Sequence, residues 1–263
     1  MIMRMKWFGT ATILLEQDGA CLLFDPFISR NDKLFTLPIG DLPPLTAILV
    51  THGHLDHIAD IPQILEHEGN APVYCTARPH RALAEMGVPP ERLRTVAPAD
   101  VLHLDPFTIT VLKGRHVVFD KKKIMKSLLS PRLIRHWNPF MTMMKENRIC
   151  EEAGETVVFD IQAQEKRILL LGSLNLKDDA AYPIGADLLI LPYTGRSSLP
   201  QYAMTLIDRL RPRRIVLDHY DDSFPPISSP EDPEIFRLLM ARKYPGVPVL
   251  SPQAGPGWIE WEN

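Results

Sequence analysis

The sequence predicts an α/β fold in which two β-sheets pack face to face and helices cover their outer sides. Three observations carry this reading. Short apolar strands come in runs, helical periodicities are interspersed among them in both halves, and turn residues separate them, above all 25 prolines in 263 residues. A chain of this length buries a sizeable core, and it is read as a single domain over 1–263 that carries a basic insert at about 119–150.

In chain order, Met5 to Glu16 reads as a strand bent near Gly9, followed by the strand Ala20 to Phe24 and the turn Asp25-Pro26. Leu45 to Thr51 is an apolar, buried strand. From Asp56 to Glu66 the residues Ile58, Ile61, Ile64 and Leu65 recur at helical spacing, with Pro62 tolerated only in the first turn. A strand Pro72 to Cys75 and a helix Pro79 to Met86 repeat the cycle, then come strands at Val101 to Leu104 and Phe107 to Leu112. The second half offers a hairpin-like pair, Glu155 to Asp160 with Arg167 to Leu171. Strand Asp187 to Leu191, helix Pro200 to Leu210 and strand Arg213 to Leu217 follow. A last helix, Pro230 to Ala241, precedes strands Val247 to Leu250 and Trp258 to Trp261.

Composition narrows the function classes. A net charge of −3 and a pI near 6.3 exclude a generic polyanion binder. No apolar targeting segment precedes Trp7-Phe8-Gly9, and no run approaches the roughly 18 apolar residues of a membrane span. Cys21, Cys75 and Cys150 are odd in number and form no CxxC pair, which reads as reduced thiols in a cytoplasmic protein. One segment departs from the average. Between Lys113 and Arg148 ten Lys/Arg face only Asp120 and Glu146, a net +8 that leaves the rest of the chain at −11. Met125, Trp137, Phe140, Met141, Met143 and Met144 lie in the same stretch. It is either a solvated pair of basic helices or an insertion covering a site. A membrane-surface helix is a third, less favoured use.

The string Thr51-His52-Gly53-His54-Leu55-Asp56-His57 carries the chemistry. In extended chain, side chains two apart point the same way, so His52 and His54 can grip one ion, and Gly53 eases the tight turn between them. Asp56 and His57 fall at a helix start and diverge from the first pair, which suits a second ion. Imidazole and carboxylate ligands favour zinc, with manganese or iron as alternatives. His67, His80 and His103 have no partner ligand nearby in sequence and read as structural or solvated.

His52-x-His54-x-Asp56-His57 resembles the signature of the metallo-β-lactamase superfamily, and the resemblance runs over nearly the whole chain. It implies a four-layer αβ/βα sandwich with one or two divalent ions at one sheet edge. It also implies metal ligation by His116 (in Lys113-Gly114-Arg115-His116) and His219 (in Asp218-His219-Tyr220), with Asp25 (in Phe24-Asp25-Pro26) supporting the site from outside the ligand shell. The opening Trp7-Phe8-Gly9-Thr10-Ala11 and Asp25-Pro26-Phe27 look most like the branch that contains ascorbate-6-phosphate lactonase. The chain departs from the pattern at one place. Where family members carry Gly-Asp with a bridging aspartate, this chain has Gly172-Ser173, so either two ions sit without that bridge or the second ion is weakly held.

The mechanism expected of these ligands is hydrolytic. A metal lowers the pKa of bound water to about 7, giving a hydroxide nucleophile, and polarises a carbonyl or phosphoryl oxygen. Asp56 orients the hydroxide and accepts its proton, and Asp56 and His219 take the catalytic roles. The bond is an ester, lactone, amide or phosphodiester, in a small molecule made anionic to match the basic insert. Tyr193 and Arg196 follow a strand end where members of the family this chain resembles often carry substrate-contacting residues, so they are either substrate contacts or a surface loop. His136, within the insert, is either a third contact or a structural or solvated residue. A non-catalytic metal-binding or regulatory protein of the same fold is the main rival, favoured by Ser173 alone. A nucleic-acid substrate is disfavoured by the acidic chain and the lack of an added domain, and a flavin-linked redox role by the absence of a His-x-Glu-x-Asp string. No motif addresses oligomeric state.

Overall fold

The computed structural model describes residues 3–28, 38–67, 70–118, 150, 154–222 and 229–260. The first sheet contains β1 (Arg4–Trp7), β2 (Ile13–Gln17), β3 (Ala20–Phe24), β4 (Ala47–Leu49), β5 (Val73–Cys75) and β6 (Leu93–Thr95), with β14 (Ile259–Glu260) added beside β1. The second contains β7 (Val101–Leu104), β8 (Phe107–Lys113), β9 (Val157–Ala163), β10 (Lys166–Leu171), β11 (Leu188–Pro192), β12 (Ile215–Asp218) and β13 (Val249–Leu250). Both sheets are mixed. From β3 to β6 and from β10 to β13 neighbours run parallel, and the remaining pairs are antiparallel. Parallel neighbours need crossovers, and helices supply several of them. They are α1 (Leu55–Ile58), α2 (Ile61–His67) and α3 (Ala77–Glu85) on the first sheet, and α4 (Leu199–Leu210) and α5 (Glu234–Lys243) on the second.

Three apolar clusters hold four layers together, as strand alternation requires. Met5, Ile13, Leu15, Leu22, Phe24 and Leu49 meet Ile109, Phe159, Ile161, Ile168, Leu170, Ile190 and Val216 between the sheets. The opposite face of the first sheet, with Leu14, Leu23, Ile48 and Val73, packs on Leu55, Ile58, Ile61, Ile64 and Leu83 of its helices. Leu169, Leu171, Leu189, Leu191, Ile215 and Leu217 do the same against Ala203, Leu206, Ile207, Phe236 and Met240. The expected two-sheet sandwich with helices outside is the observed fold.

Local differences from the sequence reading have local causes. Met5 to Glu16 is a hairpin, because Gly9 and Thr10 both take positive φ (102° and 50°) and reverse the chain, pairing Lys6 with Leu14. The helix expected over Asp56 to Glu66 is two helices. Asp60 at the break turns inward and accepts the Ile28 N–H, and Pro62 lies in the first turn of α2, where its missing N–H costs nothing. α5 begins at Glu234, just after Pro233, which has no N–H to give. β6 is an additional strand. Residues 119–149, most of the basic insert with His136 in it, lie outside the described residues.

The two sheets touch where β4 and β10 end. Thr51 O accepts the Val157 N–H at 2.9 Å, and a Cβ placed on Gly172 would lie 2.4 Å from Thr51 Cβ. Gly172→Ala is therefore expected to destabilise the fold by about 1–3 kcal/mol, the usual cost of overpacking. A denaturant midpoint equal to wild type would show that this contact yields freely.

Candidate metal centre

The candidate ligands lie at or just after the C-terminal ends of strands, the edge where open α/β sheets place their ligands. β4 runs through Val50 and Thr51 into His52 and His54, and α1 begins next, carrying Asp56 and His57. β8 leads to His116 and β12 to His219. Donor atoms of His52, His54 and His116 lie within 4.8 Å of one another, and so do those of Asp56, His57 and His219. The two triads adjoin, with the His52 and His57 rings 3.9 Å apart.

Hydrogen bonds select which nitrogen of each ring faces the centre. His116 Nδ1 donates to Val117 O at 2.8 Å and His57 Nδ1 to Asp25 Oδ2 at 2.9 Å, leaving both Nε2 atoms for an ion. His52 Nε2 and His54 Nδ1 lie 3.2 Å apart, as do His219 Nε2 and Asp56 Oδ2. Two ligands at about 2.0–2.1 Å from one zinc in a tetrahedron are ~3.3 Å apart, so both spacings fit a shared ion.

The electrostatics agree with that donor set. Burial, with His57, His54 and His116 adding, holds His52 well below the ordinary histidine range, which favours the neutral imidazole that a metal needs. Burial opposes ionisation of Asp56, but His57 and His219 together outweigh it and hold the carboxyl well below its usual range. His219 is likewise opposed by burial, and its hydrogen bond to Asp56, with the charges of Asp56, Asp221 and Asp218, raises it to about 9. A divalent ion held there would take over the role that the His219 proton plays beside Asp56.

Three of the residues with left-handed backbone lie at the site. Asp25 (φ 46°) and His219 (φ 55°) are in the left-handed region, as is Thr10 opposite them. His219 N–H donates to Thr10 O, and Thr10 N–H donates to Asp221 Oδ2, both at 2.7 Å. The turn of the first hairpin thus fixes the strand end that carries His219. Asp25 accepts the Thr51 N–H (2.7 Å) and the Thr51 hydroxyl (2.6 Å) besides His57.

Other expected site residues divide. Ser173 is buried, and its Oγ accepts the Val117 N–H at 2.9 Å. The Arg196 guanidinium lies 4.3 Å over the Tyr202 ring. Tyr193, the other candidate after the end of β11, packs inward. Its side chain is fully buried, 5.5 Å from the Phe236 ring, because alternation along β11 puts it on the helix-covered face with Leu189 and Leu191. Asn175 and Tyr202 were not expected at all. Asn175 Nδ2 donates to His116 O at 3.0 Å and its Oδ1 accepts the Tyr202 hydroxyl at 2.6 Å. No sequence periodicity marks either residue.

Fold and ligand set together define a metallo-β-lactamase-type protein. The sequence profile described as "Beta-lactamase superfamily domain" matches residues 21–220, and the chain belongs to that superfamily. It is 30% identical over 254 residues to a UPF0173 metal-dependent hydrolase of Caldivirga maquilingensis, covering 95% of each chain. A second such protein, from Pyrobaculum islandicum, is 29% identical over 237 residues, covering 89% of this chain and 90% of that one. Among solved structures the fold is similar to Igni18, a metallo hydrolase of Ignicoccus hospitalis, with a TM-score of 0.67 at 19% identity and full coverage of both chains.

Proposed function

We propose that this chain is a metal-dependent hydrolase acting on an anionic small molecule at an ester, lactone, amide or phosphodiester bond. The observation that carries the reading is the pair of adjoining donor triads on one sheet edge. His52, His54 and His116 form one ion position, and Asp56, His57 and His219 form the other, with zinc the metal best matched to the donors and manganese or iron next. Divalent ions held there supply Lewis acidity and activate water near neutral pH. Asp56, whose Oδ2 lies 3.2 Å from His219 Nε2, would hold the ion there and orient the water, with its other oxygen as the proton acceptor. Among the described residues no helix is long and apolar enough to cross a membrane.

The anionic preference rests on the +8 stretch in the sequence and on Arg196. Among the described residues Arg196 has no ion pair, and its Nε is buried without a hydrogen-bond partner. A guanidinium so held is ready for a carboxylate or phosphate. The test is a panel of anionic and neutral esters, lactones and phosphodiesters, with protein stripped by chelator and reloaded with zinc or manganese. Turnover should vanish on stripping and return on reloading; turnover indifferent to chelation would refute the metal role. Arg196→Ala, and separately Lys121, Lys122 and Lys123 all to Ala, should raise KM about tenfold or more for anionic substrates only, the worth of one charge-assisted hydrogen bond. Equal loss on neutral substrates would refute the anion contact.

A further inference from the structure

We propose that Ser173 and Asn175 form a clamp on the peptide that follows His116, and so are positioning residues for the three-histidine ion position. The inference rests on the metal-centre reading and assigns Ser173 a task other than holding an ion.

The geometry is specific. Ser173 Oγ accepts the Val117 N–H at 2.9 Å, and Asn175 Nδ2 donates to the His116 carbonyl at 3.0 Å. That N–H and that carbonyl are the two poles of one peptide unit. Both side chains are buried, 6% exposed, so the bonds are little screened by water. The same loop returns the contact to the ring, since His116 Nδ1 donates to the Val117 carbonyl at 2.8 Å. Fixing the His116–Val117 peptide therefore fixes the azimuth of the imidazole and the direction of Nε2.

The clamp is itself braced. A backbone bond from Asn175 N to Ser173 O, 2.7 Å, folds the two side chains toward one target. Asn175 Oδ1 accepts the Leu176 N–H (2.9 Å) and the Tyr202 hydroxyl (2.6 Å), which leaves only its NH2 group to face His116 O. At the other end of the loop, Tyr182 donates its hydroxyl to Lys113 O at 2.6 Å and accepts the Lys177 N–H at 3.0 Å. The segment after β10 thus holds the His116 loop at both ends. A serine hydroxyl whose acceptor capacity is turned to Val117 replaces a ligand with a support. Nothing comparable reaches the other triad from this segment among the described residues. The two ion positions should therefore respond separately.

The test is calorimetric titration of full-length apo protein with zinc alone in two backgrounds. Asp56→Ala with His219→Ala isolates the three-histidine position, and His54→Ala with His116→Ala isolates the other. Ser173→Ala removes the acceptor. Asn175→Asp keeps the bonds to Leu176 and Tyr202 but sets a carboxylate oxygen against the His116 carbonyl. Each should weaken zinc about 10–100-fold in the first background, the usual cost of losing a ligand's outer partner. Each should change it less than twofold in the second, with Ser173→Thr restoring affinity in the first. Apo-protein melting, run alongside, identifies a variant that fails to fold, and Ser173→Ala, the smaller change, then decides. Equal weakening in both backgrounds, or none in the first, would overturn the clamp. Absence of zinc binding in the unsubstituted first background would overturn the metal-centre reading and the clamp with it, an outcome distinct from either clamp result.

Discussion

Replacing His52 and His54 together with alanine is expected to strip the ion from the three-histidine position and to abolish hydrolysis. Their two donor atoms lie 3.2 Å apart, and only His116 remains of the triad without them. Structural zinc in a four-ligand site binds with about 10–16 kcal/mol, or roughly 2.5–4 kcal/mol per ligand. Losing two costs ~5–8 kcal/mol, far beyond what one imidazole recovers. Elemental analysis of purified wild type and double variant is the measurement, with circular dichroism to show that the fold survives. Equal metal in the two proteins would mean that the ligand assignment is wrong.

Those ligands were legible because they are contiguous. Four of the six fall between His52 and His57, so the strand-to-helix geometry alone brings them together. His116 and His219 are remote in sequence, and resemblance to a family, not spacing, pointed to them. What stayed hidden depends on contacts between distant segments. Asn175 and Tyr202 reach His116 across the fold, and Thr10 meets His219 and Asp221 from the opposite sheet. The burial of Tyr193 was hidden for a different reason. β11 is Leu-Leu-Ile-Leu-Pro, apolar and buried on both faces, so period-two alternation gives no hint of which side faces a helix. β6, three residues with Arg94 and Thr95 exposed, has too little apolar pattern to be seen. The helix break before α2 was hidden likewise, since Asp60 looks like any polar surface position until the loop at Ile28 comes to meet it.

Asp25 should have the second large effect, and two substitutions separate its two tasks. The residue is 1% exposed, takes a left-handed φ of 46°, and accepts bonds from Thr51 N–H, Thr51 hydroxyl and His57 Nδ1. Asp25→Ala loses all three acceptors in a buried place and puts an alanine at a positive φ, which alone costs about 1–2 kcal/mol. Breaking a buried charged network typically costs about 3–5 kcal/mol, so the apo protein should lose stability on that scale. Asp25→Asn is gentler on the fold, because asparagine tolerates left-handed backbone and keeps the shape and one acceptor oxygen. With that oxygen retained by Thr51 N–H, the amide NH2 replaces Oδ2 opposite His57. His57 then favours the tautomer with its proton on Nε2, the atom needed for the ion, and ligation requires that proton to leave. Zinc affinity of the Asp56–His57–His219 position should fall about 10–100-fold with a far smaller loss of stability than in Asp25→Ala. Calorimetric titration together with apo-protein melting reads both quantities. Wild-type affinity at that position in Asp25→Asn would show that the Asp25–His57 contact does not set the tautomer.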